Sequence, residues 1–240
     1  MNFRNITTKK ITTKTARFAF LLALTVMAVV SVSQQAAAQF VIDDFSSGFY
    51  TKTLSKGTAT DTQTGTMAGS SRMIIFGVCE PTNPCAGDPY EQPNSYQIKK
   101  ATKTTPNIFI FNTGFQSDAD LLLYYGEGNP MSLDLSSYDR IRLFFAGANL
   151  EGLNFNAAVH NDGSSGSVGC NFVPPNGQQN SFTVDIPFAN LGISLPLEDV
   201  TSILFEFDAA QGINSGEDWA ITSIQAVSGS AGGDIQCGTN

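Results

Sequence analysis

The chain is poor in the residues that hydrolases and zinc proteins use for chemistry. Among its 240 residues it has one histidine and four cysteines, and charged side chains make up only 14%. The cysteine spacings contain no C-x₂-C pair, and His160 is the only imidazole, so a zinc site is disfavoured. No G-x-S-x-G elbow accompanies His160, which disfavours a serine-hydrolase triad. The sequence therefore predicts a protein that is not an enzyme.

Long hydrophobic runs are missing after the first forty residues. The one such run, residues 18–32, follows five basic residues and precedes a small-residue A-x-A step at residues 36–38. That order is typical of a cleaved secretory signal, and the run is shorter than the ~20 residues of a membrane-spanning helix. Residues 1–38 are therefore interpreted as a cleaved signal helix, with a retained anchor as the alternative. The predicted location is secreted, extracellular or at the cell surface, with the periplasm as another compartment.

Basic residues are scarce once the leader is set aside. Residues 1–38 contain five basic and no acidic residues, so their removal changes the net charge from −8 to −13. Such an acidic chain repels phosphate backbones and anionic membrane surfaces. We therefore expect no nucleic-acid partner and, after cleavage, no membrane span.

The four cysteines form an even set, which in an exported chain indicates disulfides. Cys79 and Cys85 flank a short loop bent by two prolines, and we expect them to pair with each other. Cys170 would then pair with Cys237 and tie the tail to a mid-chain loop. Four cysteines allow three pairings, and the sequence alone does not decide among them.

Helical periodicity is almost absent after the leader, and alternation of apolar and polar residues recurs instead. Clear strand patterns cover residues 140–145, 153–159, 182–186 and 203–208, and shorter ones cover 40–45, 72–78, 96–99, 108–111, 121–125 and 219–227. Turn-forming clusters separate them, including residues 161–169. This pattern predicts an all-β fold, an antiparallel two-sheet sandwich of jelly-roll type. We expect one domain over residues 39–227 and a loose Gly/Ser-rich tail over residues 228–240.

Short motifs occur along the chain in a recognisable order. They read Asp43-Asp44-Phe45, then Gly69-Ser70-Ser71-Arg72, Leu123-Tyr124-Tyr125, Asp134-Leu135-Ser136-Ser137-Tyr138-Asp139, and Asp218-Trp219-Ala220-Ile221. This series resembles bacterial exported β-sandwich proteins with a galactose-binding-like jelly roll, many of which carry a Pro-Glu-Pro sorting tail that is absent here. The resemblance implies a fold that hosts sugar binders, adhesion modules and pieces of enzymes.

Sugar binding needs an aromatic face for stacking and planar polar groups for hydroxyls. By alternation, several such side chains lie opposite the core. The predicted ligand-binding residues are Arg142, Phe144, Asn154, Asn156, Glu206 and Asp208. The strands that carry Phe144 and Asn154 are expected to be neighbours, and Trp219 is expected in the core.

Carboxylates at two strand starts indicate a structural calcium ion. Asp43 and Asp44 begin the first strand, and Glu217 and Asp218 begin the last. If these strands pair, the four carboxylates could share a Ca²⁺, which prefers oxygen ligands.

Three functions remain open at this stage. The favoured hypothesis is non-catalytic binding of an extracellular carbohydrate or glycan. The alternative is a cell-surface or matrix protein that acts through protein contacts, which an unpaired edge strand would favour. The third is a polysaccharide hydrolase, which needs two facing carboxylates. The candidate pairs are Asp43/Asp44, Asp118/Asp120, Glu217/Asp218 and Glu206/Asp208, the last about 7 Å apart along one strand face.

Overall fold

The computed structural model describes residues 38–78, 94–100, 102, 106–114, 119–149, 153–173, 180–192, 196–208, 218–229 and 232–238. The proposed signal helix, apart from Ala38, lies outside these ranges, as does the proposed Cys79–Cys85 bridge. No helix in the described ranges is long and apolar enough to cross a bilayer.

The described residues form fourteen strands joined by turns and two short 3₁₀ segments. The strands are β1 Gln39–Asp43, β2 Tyr50–Leu54, β3 Gly57–Thr64, β4 Ser71–Val78, β5 Asn94–Lys99, β6 Ile108–Asn112, β7 Ala119–Tyr125, β8 Arg140–Ala148, β9 Leu153–Asn161, β10 Ser164–Phe172, β11 Phe182–Pro187, β12 Val200–Asp208, β13 Asp218–Val227 and β14 Ile235–Gln236. The expected all-β class is confirmed.

The strands divide into two sheets that face each other. The eight-stranded sheet has the order β14-β11-β8-β13-β6-β5-β2, with β1 also paired to β13, and the six-stranded sheet has the order β10-β9-β12-β7-β4-β3. All pairs are antiparallel except β11 with β14, which is parallel. The predicted two-sheet sandwich is thus confirmed, with one short parallel pair that alternation alone does not reveal.

The core lies between the sheets and is rich in aromatic rings. Trp219 from the eight-stranded sheet packs on Phe207 from the six-stranded sheet, with ring centroids 4.3 Å apart. Phe145 stacks on Phe182 at 4.7 Å. Trp219 is only 2% exposed, which confirms its predicted core position. Because one set of alternating residues is buried here, the other set faces outward on each sheet.

Four strands, β2, β3, β10 and β14, lie outside the predicted segments because apolar alternation is weak in them. Residues 161–169 were expected to be a turn cluster, but β9 and β10 form a tight hairpin there, with Asp162-Gly163 at its turn. Strand β3 is rich in threonine, and β14 has two residues. The expectation of a loose tail is wrong for residues 232–238, because β14 docks on β11.

The disulfide between Cys170 and Cys237 joins the two sheets at one side of the sandwich. Cys170 lies on β10, the edge of the six-stranded sheet, and Cys237 follows β14, the edge of the eight-stranded sheet. This bridge confirms the predicted pairing of these two cysteines.

Candidate functional site

A shallow groove crosses the outer face of the eight-stranded sheet. It consists of two adjoining depressions of about 390 and 410 Å³ that share Ala146. Outward-facing residues that line them are Pro106, Ile110, Asn112, Phe144, Ala146, Gly147, Asn149, Ser181, Thr183, Asp218, Ala220, Thr222 and Asp234. We call this surface the outer-sheet groove. Its lining mixes one aromatic ring, small apolar residues and polar side chains, as ligand sites do.

The groove has a low floor because small residues meet on neighbouring strands. Gly147 of β8 is opposite Ala220 of β13, which in turn is opposite Ile110 of β6. Their outward side chains are a hydrogen atom, a methyl group and a larger aliphatic group. Since Phe144 and Ile110 are larger, the surface is lowest between them.

Phe144 stands at one end of the groove, with a hydroxyl-bearing residue on each neighbouring strand. Its cross-strand partner on β11 is Thr183, and its cross-strand partner on β13 is Ser223. Thr222, which precedes Ser223, donates its hydroxyl hydrogen to the carbonyl oxygen of Phe144 at 3.2 Å. The ring is half-buried and remains part of the groove lining.

The docked tail brings a carboxylate to the Phe144 end of the groove. Asp234 accepts hydrogen bonds from the backbone N–H of Thr183 at 2.7 Å and from its hydroxyl at 3.0 Å. The backbone N–H of Asp234 donates back to the Thr183 hydroxyl at 3.1 Å. This reciprocal pair fixes an exposed acceptor beside the ring. Nothing in the local sequence of Asp234 predicted that role, because it depends on the β11–β14 pairing.

Asp218 stands at the opposite end of the groove. Partial burial raises the pKa of its carboxyl group, and a hydrogen bond from the backbone N–H of Thr113 opposes that rise. Asn112 is the cross-strand partner of Asp218, and the backbone N–H of Asn149 donates to the Asp218 carbonyl oxygen at 2.8 Å. The two ends of the groove therefore each carry a carboxylate.

Arg142 was predicted to bind ligand, but its guanidinium is held by Asp185. Its Nε and Nη2 atoms donate to the two carboxylate oxygens of Asp185 at 2.6 and 2.9 Å. Asp185 is fully buried and also accepts the backbone N–H of Gly233 at 2.6 Å. A Cβ atom at Gly233 would lie 2.8 Å from that carboxylate, so the tail can dock only through glycine. Arg142 therefore bonds to the same carboxylate that accepts the Gly233 N–H of the tail.

The expectation that the strands of Phe144 and Asn154 are neighbours is wrong. Strand β8 belongs to the eight-stranded sheet and β9 to the six-stranded sheet. Asn154 and Asn156 therefore face away from Phe144, on the other outer surface. Alternation assigns the face of a strand but not its neighbours, which explains the error.

Asn156 and Glu206 do come together on the outer face of the six-stranded sheet. They are cross-strand partners, and the Asn156 amide donates to the Glu206 carboxylate at 3.4 Å. Asp208 belongs to the same strand as Glu206, and Asn154 follows the same alternation as Asn156. These four predicted residues share a sheet, but neither of the two depressions that form the outer-sheet groove includes them.

The carboxylates proposed to bind calcium are not gathered into one site. Strands β1 and β13 do pair, but Asp43 is opposite Ile224. Ile224 is six residues from Asp218 on β13, which places Asp43 about 20 Å from Asp218 along the strand direction. Asp43 is 1% exposed and ion-paired to Arg72, while Asp44 accepts the backbone N–H of Ser46 at 2.9 Å. Glu217 lies outside the described residues, and no group of three or more metal-binding side chains occurs within them. The donor set in the described ranges does not fit a shared calcium ion.

Comparisons with known proteins give structural likenesses at low identity. No protein-family profile matches the chain, and no curated protein matches it. Among solved structures, it is similar to a family 11 carbohydrate-binding module from Clostridium thermocellum in complex with a β-1,3-1,4-mixed-linked tetrasaccharide. That match has a TM-score of 0.42 and 15% identity, and covers 81% of this chain and 98% of that one.

Two further solved structures show weaker likeness. One is TmCBM61 in complex with β-1,4-galactotriose, with a TM-score of 0.32, 10% identity, and coverage of 55% of this chain and 81% of that chain. The other is the agarase AgWH50C, with a TM-score of 0.37, 7% identity, and coverage of 57% of this chain and 22% of that chain.

Proposed function

We propose that the protein is an exported, non-catalytic module that binds an extracellular glycan in the outer-sheet groove. The observation that carries the proposal is the Phe144 ring, which lies in a depression among the hydroxyl groups of Thr183 and Thr222 and the carboxylate of Asp234. A sugar ring has an apolar C–H face, which packs on an aromatic ring, and an edge of hydroxyl groups that need hydrogen-bond partners. The Phe144 end of the groove supplies both.

The shape of the groove favours a chain over a single sugar. The two depressions adjoin at Ala146, so the groove continues from Phe144 to Asp218 along the neighbouring strands β8 and β13. Because its floor is low and open, successive sugar units can lie along it without steric barriers. Two carboxylates at the ends accept hydrogen bonds from hydroxyl groups, and they repel acidic sugars. The proposed ligand is therefore a neutral polysaccharide.

A binding screen on the protein from Gln39 to Asn240 tests this proposal. The polysaccharides to test are β-1,3-1,4-glucan, β-1,4-galactan and agarose, in affinity electrophoresis with and without calcium. The variant Phe144→Ala removes the stacking ring, and we expect at least about tenfold weaker binding to the retained polysaccharide. Tyr124→Ala is the matched control, because Tyr124 is a half-buried aromatic residue on the other sheet.

The screen gives clear outcomes. Binding that Phe144→Ala weakens and Tyr124→Ala preserves supports the groove as the site. Equal binding by both variants and the unmodified protein places the site elsewhere and overturns the proposal. A calcium requirement would need a cation site other than the Asp43 and Asp218 set described above.

A second candidate is a surface or matrix protein without a small ligand. The specific observation in its favour is β3, an eight-residue strand at the edge of the six-stranded sheet. A long edge strand is a template for pairing with another chain.

A further inference from the structure

Strand β3 has a free outer edge among the residues that the structure describes. It ends the six-stranded sheet, and β4 is its one partner within the described ranges. All of its pairs with β4 are antiparallel and in register from Gly57 opposite Val78 to Thr64 opposite Ser71. No described strand pairs with the other side of β3, where the remaining backbone groups point away from β4.

The hydrogen-bond pattern shows which residues present those groups. The backbone N–H of Gly65 donates to the carbonyl oxygen of Ser70, which continues the β3–β4 register by one residue. In an antiparallel pair, alternate residues bond to the partner, and those between them point the other way. Counting back from Gly65, the residues that point outward are Thr58, Thr60, Thr62 and Thr64. Their side chains are all exposed.

The other long edge of the same sheet is partly occupied. In β10, the backbone N–H of Ser167 donates to the carbonyl oxygen of Leu191 at 3.1 Å, and Cys170 forms a disulfide with Cys237. In the other sheet, β11 is capped by β14, and the edge strand β2 has only five residues. Strand β10 is one residue longer than β3 but is bonded on its outer side, so β3 is the longest of these edges that has no outer backbone bond in the described ranges.

We propose that two copies of this chain associate by pairing β3 with β3 in antiparallel orientation about a two-fold axis at Thr60. An antiparallel pair of identical strands is self-complementary, so one patch serves both copies. The two six-stranded sheets then form one continuous sheet. The exposed row of threonines carries no charge, so two acidic chains can approach along it.

Axes at Thr60 and at Asp61 pair the longest stretches of β3, residues 57–63 and 58–64, and the position of Asp61 decides between them. Its carboxylate belongs to the opposite face of β3 and accepts the Gln63 amide at 2.6 Å. An axis at Asp61 would set two carboxylates directly opposite each other, which destabilises a strand pair. An axis at Thr60 sets Asp61 opposite Ala59 of the partner subunit instead.

Sedimentation equilibrium of the protein from Gln39 to Asn240, over a wide range of concentration, tests the proposal. We expect a monomer–dimer equilibrium that Thr60→Pro shifts to monomer. Proline removes an N–H that points outward and bonds to nothing in β4, which is the position where strands tolerate it. Thr60→Val is the matched control and should dimerise like the unmodified protein. A monomer at all concentrations, or a Thr60→Pro variant that dimerises equally well, would overturn the proposal.

Cysteine cross-linking tests the register without relying on proline. In the proposed pair, Thr60 is opposite its own copy at a Cα separation of about 5.5 Å, which suits a disulfide. We expect oxidised Thr60→Cys to run as a covalent dimer on non-reducing gels, whereas Thr64→Cys stays monomeric. Cross-linking of Thr64→Cys in preference to Thr60→Cys, or of neither, would contradict the proposed pairing.

Discussion

Arg72 and Asp43 form an ion pair inside the protein, where their exposed fractions are 0% and 1%. Tyr125 also donates its hydroxyl hydrogen to Asp43, at 2.9 Å, and the guanidinium of Arg72 donates to the side chain of Gln63 at 2.8 Å. Burial, followed by the nearby charge of Asp43, raises the pKa of Tyr125 and keeps it a hydrogen-bond donor. The cluster is fully hydrogen-bonded, which a buried charge requires.

This cluster explains why three of the short motifs occur together. Asp43 comes from the first motif, Arg72 ends the second, and Tyr125 ends the third. Gly48 has a positive φ of 71°, and a Cβ atom there would lie 2.7 Å from the Arg72 guanidinium. These three motifs therefore supply the residues of a buried cluster that stabilises the sandwich, and they do not by themselves identify a ligand.

Removing one partner of the buried pair should destabilise the fold. In Asp43→Asn the Arg72 charge stays buried without its counter-charge, and we expect the free energy of unfolding to fall by about 3–5 kcal/mol. Urea denaturation measures this loss. Asp44→Asn is the control, since Asp44 is exposed, and should change stability by no more than about 0.5 kcal/mol. Equal effects of the two substitutions would show that the ion pair is not needed for stability.

The Asp185 carboxylate should make stability depend on acidic pH. Burial alone would raise the pKa of Asp185, but hydrogen bonds from Arg142 and Gly233 and the charge of Arg142 lower it below its ordinary value. Because the pKa of Asp185 is lower in the folded protein, ionised Asp185 stabilises the fold at pH values above about 3.9, the pKa of an unfolded aspartate. This stabilisation is lost as the pH falls through the pKa of the folded state. As the pH is lowered through these two pKa values, the free energy of unfolding should fall less steeply for Asp185→Asn than for the unmodified protein. Identical pH profiles would refute the assignment.

The disulfide should stabilise the sandwich and hold the tail. Cys170 and Cys237 are 67 residues apart in sequence, so the bond closes a long loop in the unfolded chain. We expect Cys170→Ser with Cys237→Ser to lower the free energy of unfolding by about 2–5 kcal/mol. Amide hydrogen exchange should also be faster in β14 of that variant. Unchanged protection of β14 would mean that the Asp185 contacts hold the tail without the disulfide.

Alternation predicted which side chains are buried more reliably than which strands are neighbours. Ile141, Leu143 and Phe145 of β8 are all buried as expected, and so are Phe155 and Val159 of β9. Yet β8 and β9 lie in different sheets, because period-two patterning fixes a strand's inner face and leaves its pairing to the whole fold.

The candidate site was only partly predictable for the same reason. Phe144 was found because an aromatic residue at an outward position is conspicuous in sequence. Asp234 and Asn112 were missed, since each reaches the groove through a strand pairing that no local pattern encodes. The ion pair of Arg142 with Asp185 was not predicted, because Asp185 is distant in sequence and fully buried.

The central claim is that a glycan occupies the outer-sheet groove, and methyl NMR during titration with the polysaccharide fragment retained in the screen tests it most directly. The groove contains the methyl groups of Ala146, Ala220 and Ile110, and the opposite outer face contains those of Ala158 and Leu204. We expect saturable shifts of the groove signals, with those of Ala158 and Leu204 unchanged. Shifts confined to Ala158 and Leu204 would contradict it.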